Sequence, residues 1–410
     1  MLDFSFFTDP AILSLISASA VLLLAQLYTS SVLSRQPLPK MKAWVVVKNG
    51  EPSEALALKD IGDVNTTSLP QPKGADILIR VSHAALNPAD LMFMRYIPTW
   101  VPFRRHATPA IDFAGEIVSL GPQAAAAPAH AAEPLTVGAR VAGCLSVGLV
   151  ATGHGALVEY LTVPAELVAR QPKAFGDSSA KAGPPSVGVL GCAGQTAHLA
   201  ATDPCAEAAF SSAEPRILIN GASGAVGSLL IQISKARGAY VAAVCSGKNS
   251  EFVRRLGADE VIDYTKHDSL PAYLASEAAY SGANAFDLIF DCVGDQHLFL
   301  RSPAYLTPQG ALLCIVGGGP MAPFTSARNR LIPSFLGGTP RTYKLLALTP
   351  SGAQARAVAK WVGDSESGLI HEMPIDSEYA MTDVKEAYEK QASKRARGKI
   401  IIKVQEEKAN

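Results

Sequence analysis

Arg216-Ile-Leu-Ile-Asn220, running directly into Gly221-Ala-Ser-Gly-Ala-Val-Gly227 and then Ser228-Leu-Leu-Ile-Gln-Ile-Ser-Lys-Ala-Arg237, decides the fold. A short apolar run of buried-strand length feeds a glycine-rich turn, and apolar residues then recur at helical spacing. Strand, glycine turn and helix in this order build a phosphate cradle. Glycine lets the backbone approach a pyrophosphate, and the first helical turn offers unpaired N–H groups and the positive end of the dipole. The spacing is Gly-x-x-Gly-x-x-Gly rather than Gly-x-Gly-x-x-Gly, so the strand–turn–helix setting carries the reading against an ordinary tight turn.

Outward from this unit, from about Ser186, strands and helices alternate. Tyr240–Cys245, Glu260–Asp263, Phe286–Asp291 and Ala311–Val316 read as buried strands, with a helix through Phe252–Leu256. That alternation predicts a doubly wound parallel sheet. Gly317 to Arg341 reads as a long Gly- and Pro-rich loop carrying Arg328, Arg330 and Arg341, of a length typical of lids or partner surfaces. Gly352–Val362 reads as a helix and Lys399–Val404 as a last strand returning to the first half of the chain.

Before this unit the pattern differs. Met41–Val47, Asp76–Ser82, Phe113–Leu120, Ala139–Gly143 and Ala156–Val163 are short strands separated by Gly and Pro, which predicts a mainly β, partly barrel-like domain. The Ala- and Pro-rich stretch from Gly121 to Pro134 reads as an inserted loop. From Pro10 through Ser34 there is no charged residue, and Ala11–Tyr28 is long enough to span a bilayer as a helix. Asp3 and Asp9 precede it; Arg35, Lys40 and Lys42 follow. The absence of positive charge at the front argues against a secretory signal or presequence, and the positive flank predicts a single-pass anchor whose catalytic body faces the cytosol. The competing reading is a cleaved or interfacial segment. The division expected is 1–40 for anchor and linker, 41–185 for the β domain completed by 349–410, and 186–348 for the dinucleotide-binding domain.

Lys plus Arg and Asp plus Glu balance at 36 each in 410 residues, so global charge points to no nucleic acid or acidic partner. The six cysteines, at 144, 192, 205, 245, 292 and 314, show no Cys-x-x-Cys pair, and the eight histidines no His-x-x-x-His spacing. Gly-x-Ser-x-Gly does not occur as a nucleophile elbow, since Ser223 belongs to the phosphate turn. In NAD-specific sheets an acidic residue ends the second strand and holds the ribose hydroxyls. Here Val244-Cys245 is followed by Ser246-Gly-Lys248-Asn, with no carboxylate before Glu251. Ser246 can hydrogen-bond a ribose 2′-phosphate and Lys248 can neutralise it, which predicts NADPH.

Several motifs occur together: Asn87-Pro-Ala-Asp90, Pro109-Ala-Ile-Asp-Phe-Ala-Gly115, Val137-Gly-Ala-Arg-Val141, Gly155-Ala-Leu-Val-Glu-Tyr160, the Gly221–Gly227 turn, Leu256-Gly-Ala-Asp-Glu-Val-Ile-Asp-Tyr264 and Arg397-Gly-Lys-Ile-Ile-Ile402. Over about Met41–Val404 the chain resembles the medium-chain dehydrogenase/reductase superfamily, a GroES-like β domain joined to a Rossmann domain. It is most similar to the zinc-free quinone oxidoreductase branch of the reticulon-interacting-protein type and its fungal relatives. The resemblance implies NADPH-dependent reduction of quinones or of C=C bonds conjugated to a carbonyl. It places Ser223, Gly224, Ala225 and Val226, with Gly221 and Gly227, at the pyrophosphate. Tyr264 falls at the 2′-phosphate and Thr196 near the nicotinamide. Cys292, Val293, Val316 and Gly317 line the crevice, and Lys399 is a further cofactor candidate. Asn87 falls beside nicotinamide and substrate, with Tyr96 a candidate pocket donor and Trp100 a candidate wall.

The resemblance also bears on metal. In zinc alcohol dehydrogenases the first ligand lies three residues before an Asp, and here that place is Asn87. The histidine precedes an acidic residue, and here Ile111 precedes Asp112. Only Cys192 keeps a ligand position. One thiolate does not hold catalytic zinc, isoleucine has no lone pair, and an amide oxygen suits zinc poorly. Without a Lewis acid, enones and quinones, which delocalise their own charge after hydride attack, are the favoured substrates. Two other readings stay open: a trans-acting enoyl reductase on carrier-bound acyl chains, and an NADPH-binding scaffold or sensor at a membrane. The resemblance leaves oligomeric state open while leaning toward a homodimer.

Overall fold

The computed structural model describes residues 40–62, 69, 71–101, 104, 107–124, 133–172, 183–315, 322–362 and 368–406. Its strands, in chain order, are β1 (Met41–Val46), β2 (Leu56–Ile61), β3 (Asp76–Ala85), β4 (Asp112–Leu120), β5 (Arg140–Cys144), β6 (Tyr160–Pro164), β7 (Val168–Arg170), β8 (Arg216–Asn220), β9 (Tyr240–Cys245), β10 (Glu260–Asp263), β11 (Phe286–Asp291), β12 (Leu306–Cys314), β13 (Thr342–Leu345), β14 (Ile375–Ala380) and β15 (Lys399–Lys403). The helices used below are α1 (Pro88–Tyr96), α2 (Gly183–Leu190), α3 (Cys192–Ala201), α4 (Ala225–Ala236), α5 (Ser250–Arg255), α6 (Ala322–Leu331), α7 (Gly352–Lys360) and α8 (Val384–Ala392).

β8 to β13 form one six-stranded sheet in the order β10-β9-β8-β11-β12-β13, with every neighbouring pair parallel. Ile217, Leu218 and Ile219 are fully buried because this sheet is covered on both faces, and such strands read as continuous apolar runs. One face packs on α3, α4 and α7 through Ala197, Leu230, Ile233 and Val358; the other packs around Phe286, Phe299 and Tyr305. Strand order reverses between β8 and β11, so the carboxyl ends of those two strands flank a crevice where sheets of this type take ligands.

The second, seven-stranded sheet runs β14-β15-β3-β4-β5-β7, with β6 on β3. β15 pairs antiparallel with β3, Ile402 opposite Ala84, which brings the last described strand back into the sheet of the first domain. The β1–β2 hairpin joins through an Ala43–Val158 bridge. Phe113, Ile79, Val141 and Ile402 fill this unit's core together with Tyr388 from α8.

Two expectations change. The stretch expected to be a long loop from Gly317 to Arg341 contains α6, a short 3-10 turn at Ser334–Leu336, and is followed by the edge strand β13. The sequence hides α6 because no apolar face repeats along it, and β13 because its residues are only partly buried. The second change is a correction. The single-pass anchor, and with it the membrane localisation and cytosol-facing orientation, is not supported: among the described residues no helix is long and apolar enough to cross a membrane. The Ala11–Tyr28 stretch on which that expectation rested lies outside the described residues. An uncharged apolar run alone specifies neither a helix nor its environment.

Candidate active site

The glycine turn takes the form its residue types require. Gly221 has φ +82°, a left-handed conformation that disfavours any Cβ. A Cβ there would also meet Val293 Cγ2 at 3.0 Å and Cys292 Cβ at 3.3 Å. At Gly227 a Cβ would be driven into the Gly221 carbonyl and Ala222, so the turn can fold onto α4 only without side chains. Gly224 is different: its nearest neighbour to a Cβ is the Gly221 oxygen at 3.4 Å. That side of the turn is left open to a ligand, at the N-cap of α4.

The neighbouring strand ends are fastened to this turn. Asn220 Nδ2 donates to Asp291 Oδ1 at 3.0 Å, linking the ends of β8 and β11. Asp291 also accepts the N–H groups of Val293, Gly294 and Asp295, so it shapes the Cys292–Gly294 loop against the glycine turn. Burial, partly offset by these donors, pushes its carboxyl above the ordinary range. Thr196, on α3, is nearly buried and lies 3.9 Å from Cys192 Sγ. Ser246 precedes a 3-10 turn at Gly247–Asn249 that leaves Lys248 exposed, and Asn249 Nδ2 donates to Ser223 Oγ at 3.0 Å. Tyr264, half exposed, follows β10. Val316 and Gly317 lie outside the described residues.

Asp263 was left unassigned by the sequence. At the end of β10 it stands beside Gly247, where a Cβ would collide with its carboxylate. The Thr265 hydroxyl, donating at 2.7 Å, holds its pKa below the ordinary range against a small burial cost. A carboxylate thus does lie near the end of β9, engaged by Thr265. The signal missed was spatial, since parallel pairing puts Asp263 opposite Cys245.

Where β4 and β15 of the seven-stranded sheet meet the starts of α1 and α3 lies a buried charge cluster. Lys399 Nζ donates to Asp112 Oδ2 at 2.6 Å, to Asn87 Oδ1 at 2.7 Å and to the Leu86 carbonyl at 3.1 Å. Asn87 Nδ2 donates to Asp112 Oδ2 at 2.9 Å, and the Cys192 N–H donates to Asp112 Oδ1 at 2.7 Å. Asp112 is fully buried and Asn87 and Lys399 nearly so. Burial is the largest influence and disfavours the ammonium, but Asp112, with Cys192 and Asp90 adding to it, holds Lys399 above its ordinary pKa. The three ammonium protons of Lys399 are thus matched by three acceptors within the cluster. Cys144 stands beside Cys192 and Asp112, and burial pushes its thiol well up.

Asn87 caps α1, whose Asp90 accepts the Asn87 N–H at 2.8 Å. Burial pushes the Asp90 carboxyl up to about 8, and the buried Tyr388 hydroxyl faces it. Tyr96 lies at the other end of α1, so a rise of 1.5 Å per residue puts the two candidates roughly 13 Å apart. Tyr96 is 62 % exposed and Trp100 81 % exposed. The structure therefore brings Asn87 together with Asp112, Cys192 and Lys399 and leaves Tyr96 and Trp100 outside that group.

Comparison with known proteins identifies the family. The model of the alcohol dehydrogenase GroES-like domain matches residues 73–173, and that of zinc-binding dehydrogenase matches 256–402. The medium chain reductase pydE of Acremonium sp is 36% identical over 381 residues, covering 89% of this chain and 99% of that protein. The trans-enoyl reductase poxH of Penicillium oxalicum is 30% identical over 399 residues, covering 90% and 98%. Among solved structures, the quinone oxidoreductase from Coxiella burnetii superposes with a TM-score of 0.68 at 22% identity, covering 89% of this chain and 100% of that one, a likeness of fold. From its paired sheets, its glycine turn and these matches along most of its length, the chain belongs to the medium-chain dehydrogenase/reductase superfamily.

Proposed function

We propose that this protein is an NADPH-dependent oxidoreductase that reduces electron-poor C=C bonds, in quinones and enones, by direct hydride transfer without zinc. The single observation that carries the reading is the buried Lys399–Asp112–Asn87 cluster beside the glycine turn. Zinc, implied by the name of one matching family model, does not fit these residues. Ile111 offers no ligand atom, Asn87 is committed through both amide atoms, and the Asp112 carboxylate is already neutralised by an ammonium. Among the described residues no group of three His, Cys, Asp or Glu side chains stands close enough to hold a metal ion.

The dinucleotide does fit. The turn is closed to side chains at Gly221 and Gly227 and open at Gly224, which is the form that admits a pyrophosphate to the N-terminus of α4. In this reading Ser223, Gly224, Ala225 and Val226 hold the pyrophosphate, Ser246, Lys248 and Tyr264 the 2′-phosphate, and Thr196 and the Cys292–Val293 loop border the nicotinamide half. Bound NADPH supplies the hydride. Asn87 and Lys399 act as positioning residues: together with Asp112 they lock the start of α1 to the start of α3, fixing the floor against which substrate lies. Tyr96, at the exposed end of α1, serves the pocket mouth as a hydroxyl donor to the substrate. With no Lewis acid, the charge left by hydride attack must be spread over the substrate's own carbonyl, which selects conjugated substrates over alcohols.

The likeness to a trans-enoyl reductase at 30% identity favours a second reading within the same chemistry, in which the alkene is presented as an enoyl thioester on a carrier. Both are tested by following NADPH oxidation with a quinone, an α,β-unsaturated ketone and a carrier-bound enoyl thioester, before and after chelator treatment. Turnover of the free acceptors, unaffected by chelator, is expected. Turnover of the carrier-bound thioester alone selects the second reading, and zinc-dependent activity would overturn both.

A further inference from the structure

The chain is neutral overall, yet from Gln296 to Gly363 it holds seven Lys or Arg and no Asp or Glu. Part of this charge is matched inside the fold. Lys344 pairs with Asp203, and the Arg341 guanidinium donates to the carbonyls of Leu306 at 2.9 Å and Pro303 at 3.2 Å. Arg328 and Arg330, on the last turn of α6, stay exposed. Directly after them runs Leu331-Ile-Pro-Ser-Phe-Leu336, whose four large apolar residues are all exposed, Phe335 to 84 % and Leu331 to 76 %. A single exposed leucine is ordinary; four large apolar side chains in six residues, rimmed by two cations, mark an interaction surface.

The surface is preformed. The N–H groups of Leu336 and Gly338 donate to the Pro333 carbonyl and that of Gly337 to the Ser334 carbonyl, each at 3.0 Å. Gly337 turns the chain at φ +88°, and Gly338 lies so close to the Ile332 carbonyl that any Cβ would collide with it. A loop closed in this way presents Phe335 and Leu336 with little ordering left to do on binding. It is also fastened to the crevice. Asn329, between the two arginines, exchanges side-chain hydrogen bonds with Gln296 at 2.7 and 2.9 Å. Gln296 opens the short helix Gln296–Leu300 that follows the Cys292–Gly294 loop. A partner seated on this surface is therefore beside the crevice.

Resting on the carrier-bound reading above, we propose that Arg328, Arg330, Leu331, Phe335 and Leu336 are the docking surface for an acidic helical carrier. The carrier lays apolar side chains on Phe335 and Leu336 and carboxylates on the arginines, and its acyl thioester enters the crevice beside the Cys292–Gly294 loop. A second copy of this chain fits the surface less well. In a twofold contact the same face meets itself, which brings the arginines of both copies together in a run that has no carboxylate to separate them. An acidic partner brings the opposite sign.

The test compares one enoyl group on two supports, crotonyl thioester on an acidic phosphopantetheinyl carrier domain and on free N-acetylcysteamine, with the wild-type chain, Arg328→Glu/Arg330→Glu and Phe335→Ser. The three residues are exposed, and a melting curve on each variant verifies folding. We expect both variants to raise KM for the carrier-bound substrate about tenfold, with kcat kept and the free thioester changed less than about twofold. Added salt should raise the wild-type KM for the carrier and leave that of the charge-reversed variant nearly constant. An unchanged KM for the carrier in both variants, or equal losses on the two supports, overturns this inference and leaves the carrier-bound reading standing. Sedimentation showing a wild-type dimer that Phe335→Ser splits, with the KM for the carrier unchanged, assigns the surface to a second copy and also overturns it. A wild-type chain that reduces the free thioester but not the carrier-bound one removes the underlying reading, and this inference with it.

Discussion

Lys399 Nζ lies 2.6 Å from Asp112 Oδ2 with both side chains shut off from solvent, although 287 residues separate them in the chain. The pair joins the strand that ends the chain to the strand that follows the α1 loop. An ammonium thus sits among the elements that present Asn87, Asp112 and Cys192.

Breaking this pair leaves a buried charge without its partner. Lys399→Met is expected to destabilise the fold by about 3–5 kcal/mol, and a combined Lys399→Met/Asp112→Leu variant by clearly less than the sum of the single changes. Denaturant unfolding of the single and double variants measures this. Additive losses would show that the two residues do not act as a pair.

The two ends of the glycine turn are expected to separate folding from binding. Gly227→Ala forces a methyl into the Gly221 carbonyl and is expected to lower the melting temperature by several degrees, a cost of about 1–3 kcal/mol. Gly224→Ala meets only open space and one ordinary contact, so its melting temperature should hold while NADPH binding weakens. Calorimetry and coenzyme titration on both variants distinguish the outcomes.

Lys248→Ala is expected to weaken NADPH selectively and leave NADH nearly unchanged. The lysine stands exposed on a turn fastened to Ser223, so removing its charge disturbs no buried contact. Equal losses for the two coenzymes in a binding titration would contradict its assignment to the 2′-phosphate.

Asp90 makes stability depend on pH. Its carboxyl is raised from the usual 3.8 to about 8 by burial. Between these values the unfolded chain has released the proton while the folded chain retains it, so the unfolded state binds fewer protons and stability falls as pH rises. The stabilisation is complete below about pH 4 and lost as pH passes through about 8. Asp90→Asn keeps an oxygen to accept the Asn87 N–H without that proton. Its melting temperature should vary less than that of the wild-type chain between pH 5 and 8, and parallel curves would exclude the assignment.

The parallel sheet, its glycine turn and most β strands were legible because each rests on local pattern: buried strands are continuous apolar runs, and left-handed or crowded backbone requires glycine. The site was legible only in pieces. Asn87, Lys399 and Cys192 were each identifiable by motif. Their convergence on Asp112 was not, because no spacing rule connects residues that far apart. Asp263 escaped for the same reason, being distant from Gly247 along the chain and adjacent across a parallel pair. Helix α6 escaped because its stabilisation does not come from a repeating apolar face.

Sequence alone determined the alternation of strand and helix and the steric permission for a phosphate-bearing ligand at Gly221–Gly227, since both follow from interactions within a few residues. Only the tertiary structure decided that Lys399 faces Asp112, that the Cys192 N–H at the start of α3 reaches the same carboxylate, and that Lys248 shares a cavity with Arg395 and Arg397. Each of these joins residues far apart in the chain, and their approach is fixed by strand pairing and packing over its whole length.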